Sequence, residues 1–188
     1  DIIKLNGEIP DFNYDSMQNI KEGDLVQGYV WTILDSYADK TTTKTTMGIE
    51  TSSYTSAEYF IMPLINDSDS DKELYITITA QNQTDRNTLY DICNATWEYY
   101  INGNTSVTFP EMGVVAKVKK LDDKLEPYIV DWFYPDNMWF ESEAEARQHI
   151  IFYELQIYNP DSAYTSLIIG LVIIAVIAVI GVLAYRSL

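Results

Sequence analysis

From Ala163 to Tyr185 the chain runs for 23 residues without a charged side chain, and Leu167 to Ala184 is almost wholly Leu, Ile, Val, Ala and Gly. A helix of that length extends about 34 Å, enough to cross a hydrocarbon layer of about 30 Å. Lipid offers a backbone no hydrogen-bond partner, so such a run is expected to cross as a helix. Tyr164 and Tyr185 stand 21 residues apart, which sets one phenol ring in each interfacial belt. A buried core helix or strand pair is the competing reading, but core segments of this size normally carry polar punctuation. The residues expected to meet lipid or a neighbouring helix are Tyr164, Leu167, Gly170, Ala178, Gly181 and Tyr185. Gly170, Ala178, Gly181 and Ala184 fall near one face, where small side chains let a second helix approach. The partners this implies are the lipid bilayer and, through the helix, another membrane protein or a second copy. Ordinary use of Gly and Ala in membrane helices accounts for the same residues.

All 28 carboxylates precede this run and Arg186 alone among charged residues follows it. By the positive-inside rule Arg186 favours a cytoplasmic C-terminus and an extracytoplasmic domain. Position 1 is Asp, and the expectation is that a signal or an earlier membrane helix precedes it. A tail-anchored cytosolic adaptor is the rival topology. The formal net charge of −16 and a pI near 4.2 exclude a nucleic-acid binder, which needs clustered Lys and Arg. One Cys and one His exclude a disulfide framework, a cysteine zinc site and most histidine metal sites.

The expected organisation is a lead-in over residues 1–20, an acidic domain over 21–158, a linker over 159–162, the membrane segment over 163–185 and a tail over 186–188. Four linker residues reach at most about 14 Å, which holds the domain at the bilayer surface. Asp24 to Tyr37 reads as one β-rich strand, with Gly28 marking a bend or a close backbone approach. Ala57 to Ile65 reads as a second strand whose Pro63 confines its far end to an edge or bulge. The hydroxyl tract Thr41 to Ser56 between them is accounted for by an exposed polar hairpin. Glu73 to Ala80 alternates: Leu74, Ile76, Ile78 and Ala80 face one way, Tyr75, Thr77 and Thr79 the other, predicting one buried and one wetted face. Leu89, Cys93, Trp97 and Tyr100 recur at helical spacing over 84–101, with Thr84 as cap and Asn102-Gly103 as stop. Further strands are expected at 104–109, 113–119 and 149–158. A short helix is expected from Glu126 with Pro127 at its first position, and another behind the Ser142-x-x-Glu145 capping box. This order is no βαβ repetition. The fold class read from it is α+β: a small curled antiparallel sheet, barrel or half-barrel, with two to three helices and a C-terminal transmembrane helix.

Candidate chemistry is sparse. Asp67, Asp69 and Asp71 resemble the opening of a calcium loop, but Lys72 stands where Gly is required and Ile78 where the bidentate Glu belongs. A solvated loop between strands explains them equally. Cys93 lies on an apolar helical stripe, and a Cys93–His149 dyad has no local support. Glu141, Glu143 and Glu145 invite a carboxylate-pair hydrolase reading, yet helix-dipole preference suffices for them. Asn66, Asn82, Asn94 and Asn104 open N-x-Ser/Thr triplets, which chance in a hydroxyl-rich chain also produces. Trp132-Phe133-Tyr134 and Met138-Trp139-Phe140 read either as core or as bilayer contacts. No catalytic constellation and no cofactor motif emerges.

Lys21-Glu22-Gly23-Asp24, then Gly28, then Thr46-Met47-Gly48-Ile49-Glu50-Thr51-Ser52-Ser53 and Tyr59 to Leu64 resemble an uncharacterised group of bacterial membrane-anchored proteins. The resemblance rests mainly on residues 20–65, with the layout agreeing through the C-terminus. It implies an extracytoplasmic domain flanked by membrane helices, no established activity and no functional residue to carry over. The function expected is a membrane-anchored binding or assembly module, an accessory subunit or envelope protein. A hydrolase using a carboxylate pair and the cytosolic adaptor are the alternatives.

Overall fold

The computed structural model describes residues 9–46, 49–66 and 69–158. The chain divides into two units, Asp1–Ile157 and Tyr158–Leu188, and the fold described is that of the first. In chain order it comprises α1 (Tyr14–Met17), β1 (Leu25–Val30), β2 (Asp35–Thr46), β3 (Ile49–Asn66), β4 (Asp69–Ala80), α2 (Gln83–Tyr100), β5 (Met112–Lys120), α3 (Glu126–Asp131), a wide turn at Trp132–Asp136, α4 (Glu143–His149) and β6 (Ile150–Ile157).

The six strands form one sheet in the order β1-β5-β6-β4-β3-β2. β6 runs parallel to β4 and antiparallel to β5. α4 leads directly into β6, and this crossover delivers β6 between β4 and β5 in the direction of β4. The sheet is therefore mixed and open, which corrects the expected antiparallel barrel or half-barrel; no ladder joins β1 to β2 among the described residues. Four α-helices accompany it, rather than two to three. Among the described residues no helix is long and apolar enough to cross a membrane, which corrects the transmembrane helix included in the expected fold. The expected span, with Tyr164, Leu167, Gly170, Ala178, Gly181 and Tyr185, lies outside the described residues.

The run expected as one strand over 24–37 is two. β1 and β2 occupy opposite edges of the sheet, joined by Trp31–Leu34. A flat sheet would separate those edges by about 24 Å. Five residue steps from Val30 to Asp35 reach at most about 18 Å. The sheet must therefore bend towards the strap. Within the strap Ile33 is fully buried, and its N–H donates to Thr96 Oγ1 at 3.3 Å.

Two apolar layers sandwich the sheet. On one face α2 lays Leu89, Ile92 and Cys93 against Val26, Phe60, Ile76, Ile78, Val114, Ala116 and Leu155. The lead-in joins this layer through Phe12, Met17 and Ile20. Gly28 is the close approach that its place in a strand suggested, because a Cβ there would sit 3.0 Å from the Phe12 ring. On the other face α3, the wide turn and α4 bury Ile129, Val130, Trp132, Phe133 and Ala146 against Leu34, Ile61, Tyr75 and Ile150. That second layer corrects the expected wetted face of β4: Tyr75, Thr77 and Thr79 are all buried.

Local signals placed most ends. β2 and β3 form the exposed hydroxyl-rich hairpin. Its ladder stops at Asp35↔Ile61. The Ile61 carbonyl accepts from Leu34 N–H at 2.9 Å, so alternate residues of β3 turn their backbone groups to that edge. Pro63 falls at such a position, where a missing N–H breaks no ladder bond. Ser142 caps α4, its hydroxyl accepting from Glu145 N–H at 3.2 Å, while Glu145 accepts from Glu141 N–H at 2.8 Å. Pro127 stands in the first turn of α3. α2 starts two residues earlier than expected: Asn82 caps it in place of Thr84, accepting from Asp85 N–H at 2.8 Å. Gly103, at φ 68°, follows its end. The strand expected at 104–109 is absent. Asn104 accepts from Ser106 N–H at 3.2 Å in a local turn, and β1 and β6 already occupy both edges of β5.

Candidate functional site

The end of β3, the start of β4, the strap and the C-terminal turn of α2 enclose a half-open cleft of about 190 Å³. Because β2 stops short, Pro63 and Ile65 are left to form its floor, together with Glu73 and Tyr75 of β4. Trp97, Tyr100 and Ile101 of α2 form one wall and Trp139 stands opposite. Trp97 is 37% exposed, Tyr100 62% and Trp139 44%, in a protein where Phe60 and Phe133 are wholly buried.

Each indole is pinned by its N–H. Trp97 Nε1 donates to the Leu34 carbonyl at 2.6 Å. Trp139 Nε1 donates to the Tyr75 hydroxyl at 3.1 Å, and that hydroxyl donates in turn to the Glu73 carboxylate. Burial first, then the bond to Glu73, holds the Tyr75 hydroxyl above the ordinary tyrosine range, which keeps it a donor. Trp139 is also fixed by its backbone N–H, 2.9 Å from the Phe133 carbonyl, and follows Met138, whose φ of 50° is unusual for a side-chain-bearing residue. With both indole donors committed, the side chains left to the cleft are ring surface, the Thr32 and Tyr100 hydroxyls and one carboxylate. Among the described residues no cationic side chain lines it.

The residues singled out in the sequence end elsewhere. Asp67 lies outside the described residues, and no group of three or more His, Cys, Asp or Glu able to hold a metal occurs among the described ones. Glu143 accepts from Arg147 Nε at 2.9 Å and Glu145 caps Glu141, so these acids serve the start of α4 and converge on no pocket. His149 stacks on Phe140 at 4.7 Å, its Nδ1 3.0 Å from the Glu73 carbonyl, while Cys93 belongs to the opposite layer. Trp132 and Phe133 are core, but Met138 and Trp139 are exposed, so the aromatic run divides between packing and surface. Glu73 carried no signal of its own. Trp97 and Tyr100 were visible only as a helical stripe, although a stripe running to the last turn of a helix outlasts the sheet beneath it.

Burial drives the Cys93 thiol up from 9.0 to about 11, with the nearby Asp35 adding to the shift. Its Sγ–H donates to the Leu34 carbonyl at 3.4 Å. Near neutral pH its thiolate fraction is lower by roughly 100-fold than that of an unshifted thiol. Alkylation of the native protein with iodoacetamide should therefore be slower than in urea by at least about that factor, as read by mass spectrometry.

Glu154 on β6 faces a polar strip of the second layer. Thr79 donates to it at 2.9 Å, Tyr37 hydrogen-bonds Thr77 at 2.8 Å, and Lys119, Lys40, Asp122 and Tyr59 are its charged or titratable neighbours. Burial raises its pKa above 4.5 despite Thr79 and the two lysines. A raised carboxyl pKa means that the fold prefers the protonated form. Its contribution is fully present below the ordinary value and is lost as pH rises through the raised one. Glu154→Gln should unfold at higher urea than the parent near neutral pH, with the difference vanishing below about pH 4.

No curated protein and no solved structure matches the chain. A family model described as a domain of unknown function (DUF8577) matches residues 3–185, nearly the whole chain. The α+β unit with its aromatic cleft thus sits within one uncharacterised family, and the chain is a member of DUF8577.

Proposed function

We propose that the chain is a membrane-tethered binding module, an accessory or envelope subunit that holds its acidic domain outside the cytoplasm and captures a ligand in the cleft between α2 and Trp139. The observation that carries the binding reading is the cleft itself: three rings left partly open to solvent, two of them pinned through their indole N–H groups, lining one concavity with a single carboxylate. Apolar concavities with a few placed polar groups are the usual form of a ligand site. The tether rests on the uncharged run over 163–185, and the orientation on Arg186.

Affinity purification of the full chain in mild detergent should recover a stoichiometric membrane partner. Recovery of the chain alone and monomeric would overturn the accessory-subunit reading. External protease should degrade the domain in intact, wall-stripped cells. A protected domain would place it in the cytosol and overturn the topology.

A further inference from the structure

We infer that the cleft takes up an extended segment of another polypeptide, which adds to the sheet as a strand antiparallel to β3 beside Pro63 and Ile65. The inference rests on reading this cleft as the binding site and names what enters it: a segment in which Lys or Arg alternates with a large apolar residue.

The floor of the cleft is a sheet edge. β3 pairs with β4 through Pro63↔Tyr75 and Ile65↔Glu73, but its ladder with β2 ends at Ile61, and no other strand of the sheet borders it. The strap leaves the edge there: Leu34 N–H donates to the Ile61 carbonyl, and Ile33 N–H turns away to Thr96. By the two-residue period set at Ile61, the Pro63 carbonyl and the Ile65 N–H and carbonyl face outward, and both residues line the cleft. The two positions repeat at about 7 Å, the rise of two strand residues. A strand laid alongside matches that repeat and pairs with all three groups, the mode of recognition by β-strand addition. A compact ligand engages one position and leaves the other to water. The Thr32 and Tyr100 hydroxyls both donate and accept, so they do not discriminate between ligand classes.

The walls select the composition of the segment, because they belong to opposite faces of the sheet. α2 packs on the face of Phe60 and Ile76 and brings Trp97, Tyr100 and Ile101 to that side of the edge. Trp139 is bonded to Tyr75, which belongs to the other layer, and Glu73 lies two residues along β4 on the same face as Tyr75. Residues opposite one another in an antiparallel pair share a face. Incoming residues opposite Pro63 and Ile65 therefore lie on the side of Glu73 and Trp139, and the residue between them on the side of Trp97, Tyr100 and Ile101. Glu73 is two strand spacings from the added strand, about 10 Å, which a Lys or Arg laid over Ile65 spans. A carboxylate and an indole face both attract such a cation. The α2 side suits an apolar residue. Among the described residues no cation lines the cleft, and the chain carries a net charge of −16. A second copy would bring another acidic body to the same edge, so the occupant is a different polypeptide.

The probe is a fluorescein-labelled peptide, Gly-Lys-Leu-Lys-Leu-Lys-Gly, titrated with the detergent-solubilised full chain and read by fluorescence anisotropy. It should bind saturably, and the same peptide with Glu in place of each Lys should bind at least about tenfold more weakly. N-methylation separates strand pairing from charge attraction, since it removes backbone donors and leaves the charge unchanged. Methylating the Lys backbone nitrogens, which face β3 in the antiparallel strand, should weaken binding at least about tenfold. Methylating the Leu nitrogens, which face away, should weaken it by less than about threefold. Trp139→Ala and Tyr100→Ala, both at exposed positions, should each weaken the parent peptide at least about fivefold. No saturable binding, equal binding of the Glu peptide, equal effects of the two methylations, loss from the Leu set alone, or indifference to both variants would each overturn the inference. A dimer of the full chain, seen by sedimentation and dissociated by the peptide, would assign the edge to a second copy and overturn it as well. Recovery of a membrane partner is read separately, so the added strand and the module fail independently.

Discussion

Phe133→Ala should lower the stability of the domain by about 3–5 kcal/mol, the cost of deleting a buried ring and leaving its space unfilled. Phe133 is wholly buried and lies at the centre of an aromatic group. Tyr75 is 4.5 Å away between ring centroids, Trp132 4.9 Å, Phe140 5.5 Å and Trp139 6.4 Å. Rings of this size resist collapse into the void, which puts the expected loss at the upper end for a core truncation. For a unit of this length the midpoint of thermal unfolding should fall by on the order of 10 °C. Circular dichroism against temperature and urea reads both quantities. Met138→Ala, two-thirds exposed, is the companion variant and should change stability by less than about 0.5 kcal/mol. A loss below about 1 kcal/mol for Phe133→Ala would mean that the second apolar layer is not packed as described.

Phe60→Ala tests the opposite layer with a similar expected loss of about 3–5 kcal/mol. Phe60 is wholly buried in the middle of β3 and meets the Tyr90 ring edge-on at 5.2 Å. The two variants are more informative together. β3 and β4 carry residues of both layers on alternate positions, Phe60 and Ile76 to one side, Ile61 and Tyr75 to the other. Loss of either layer should therefore unfold the same strands, and each variant should retain a single transition with an unchanged urea slope. A biphasic curve in either would show the layers to be separate cooperative units.

What could be read from the residues beforehand was whatever local chemistry decides. The strand at β4, the Ser142 cap, Pro127 and the hydroxyl hairpin are all settled within a few residues of themselves, and each appears where it was expected. The split of β1 from β2 was not legible. Trp31-Thr32-Ile33-Leu34 contains no Gly, Pro, Asn or Asp, and its apolar members continue a strand pattern although they form a strap. Burial of Thr77 and Thr79 was hidden because threonine suits a wet strand as well as a covered one; Tyr37 from β2 and Glu154 from β6 supply the partners. The insertion of β6 beside β4 is equally non-local. The cleft was least legible of all, since Glu73, Trp97 and Trp139 share no motif and line one cleft where β2, beginning only at Asp35, leaves the end of β3 uncovered.

The position of β6 has a consequence for biosynthesis. Without it, the β1-β5 pair and the β4-β3-β2 hairpin array share no ladder, and each presents a raw edge. β1 in turn waits for β5, whose residues follow it by more than eighty positions. A nascent chain emerging from the ribosome thus carries two unjoined half-sheets until Ile157 is clear of the exit tunnel, exposed throughout to mispairing with neighbouring chains. Chaperone demand during synthesis should accordingly peak between the emergence of β5 and that of β6.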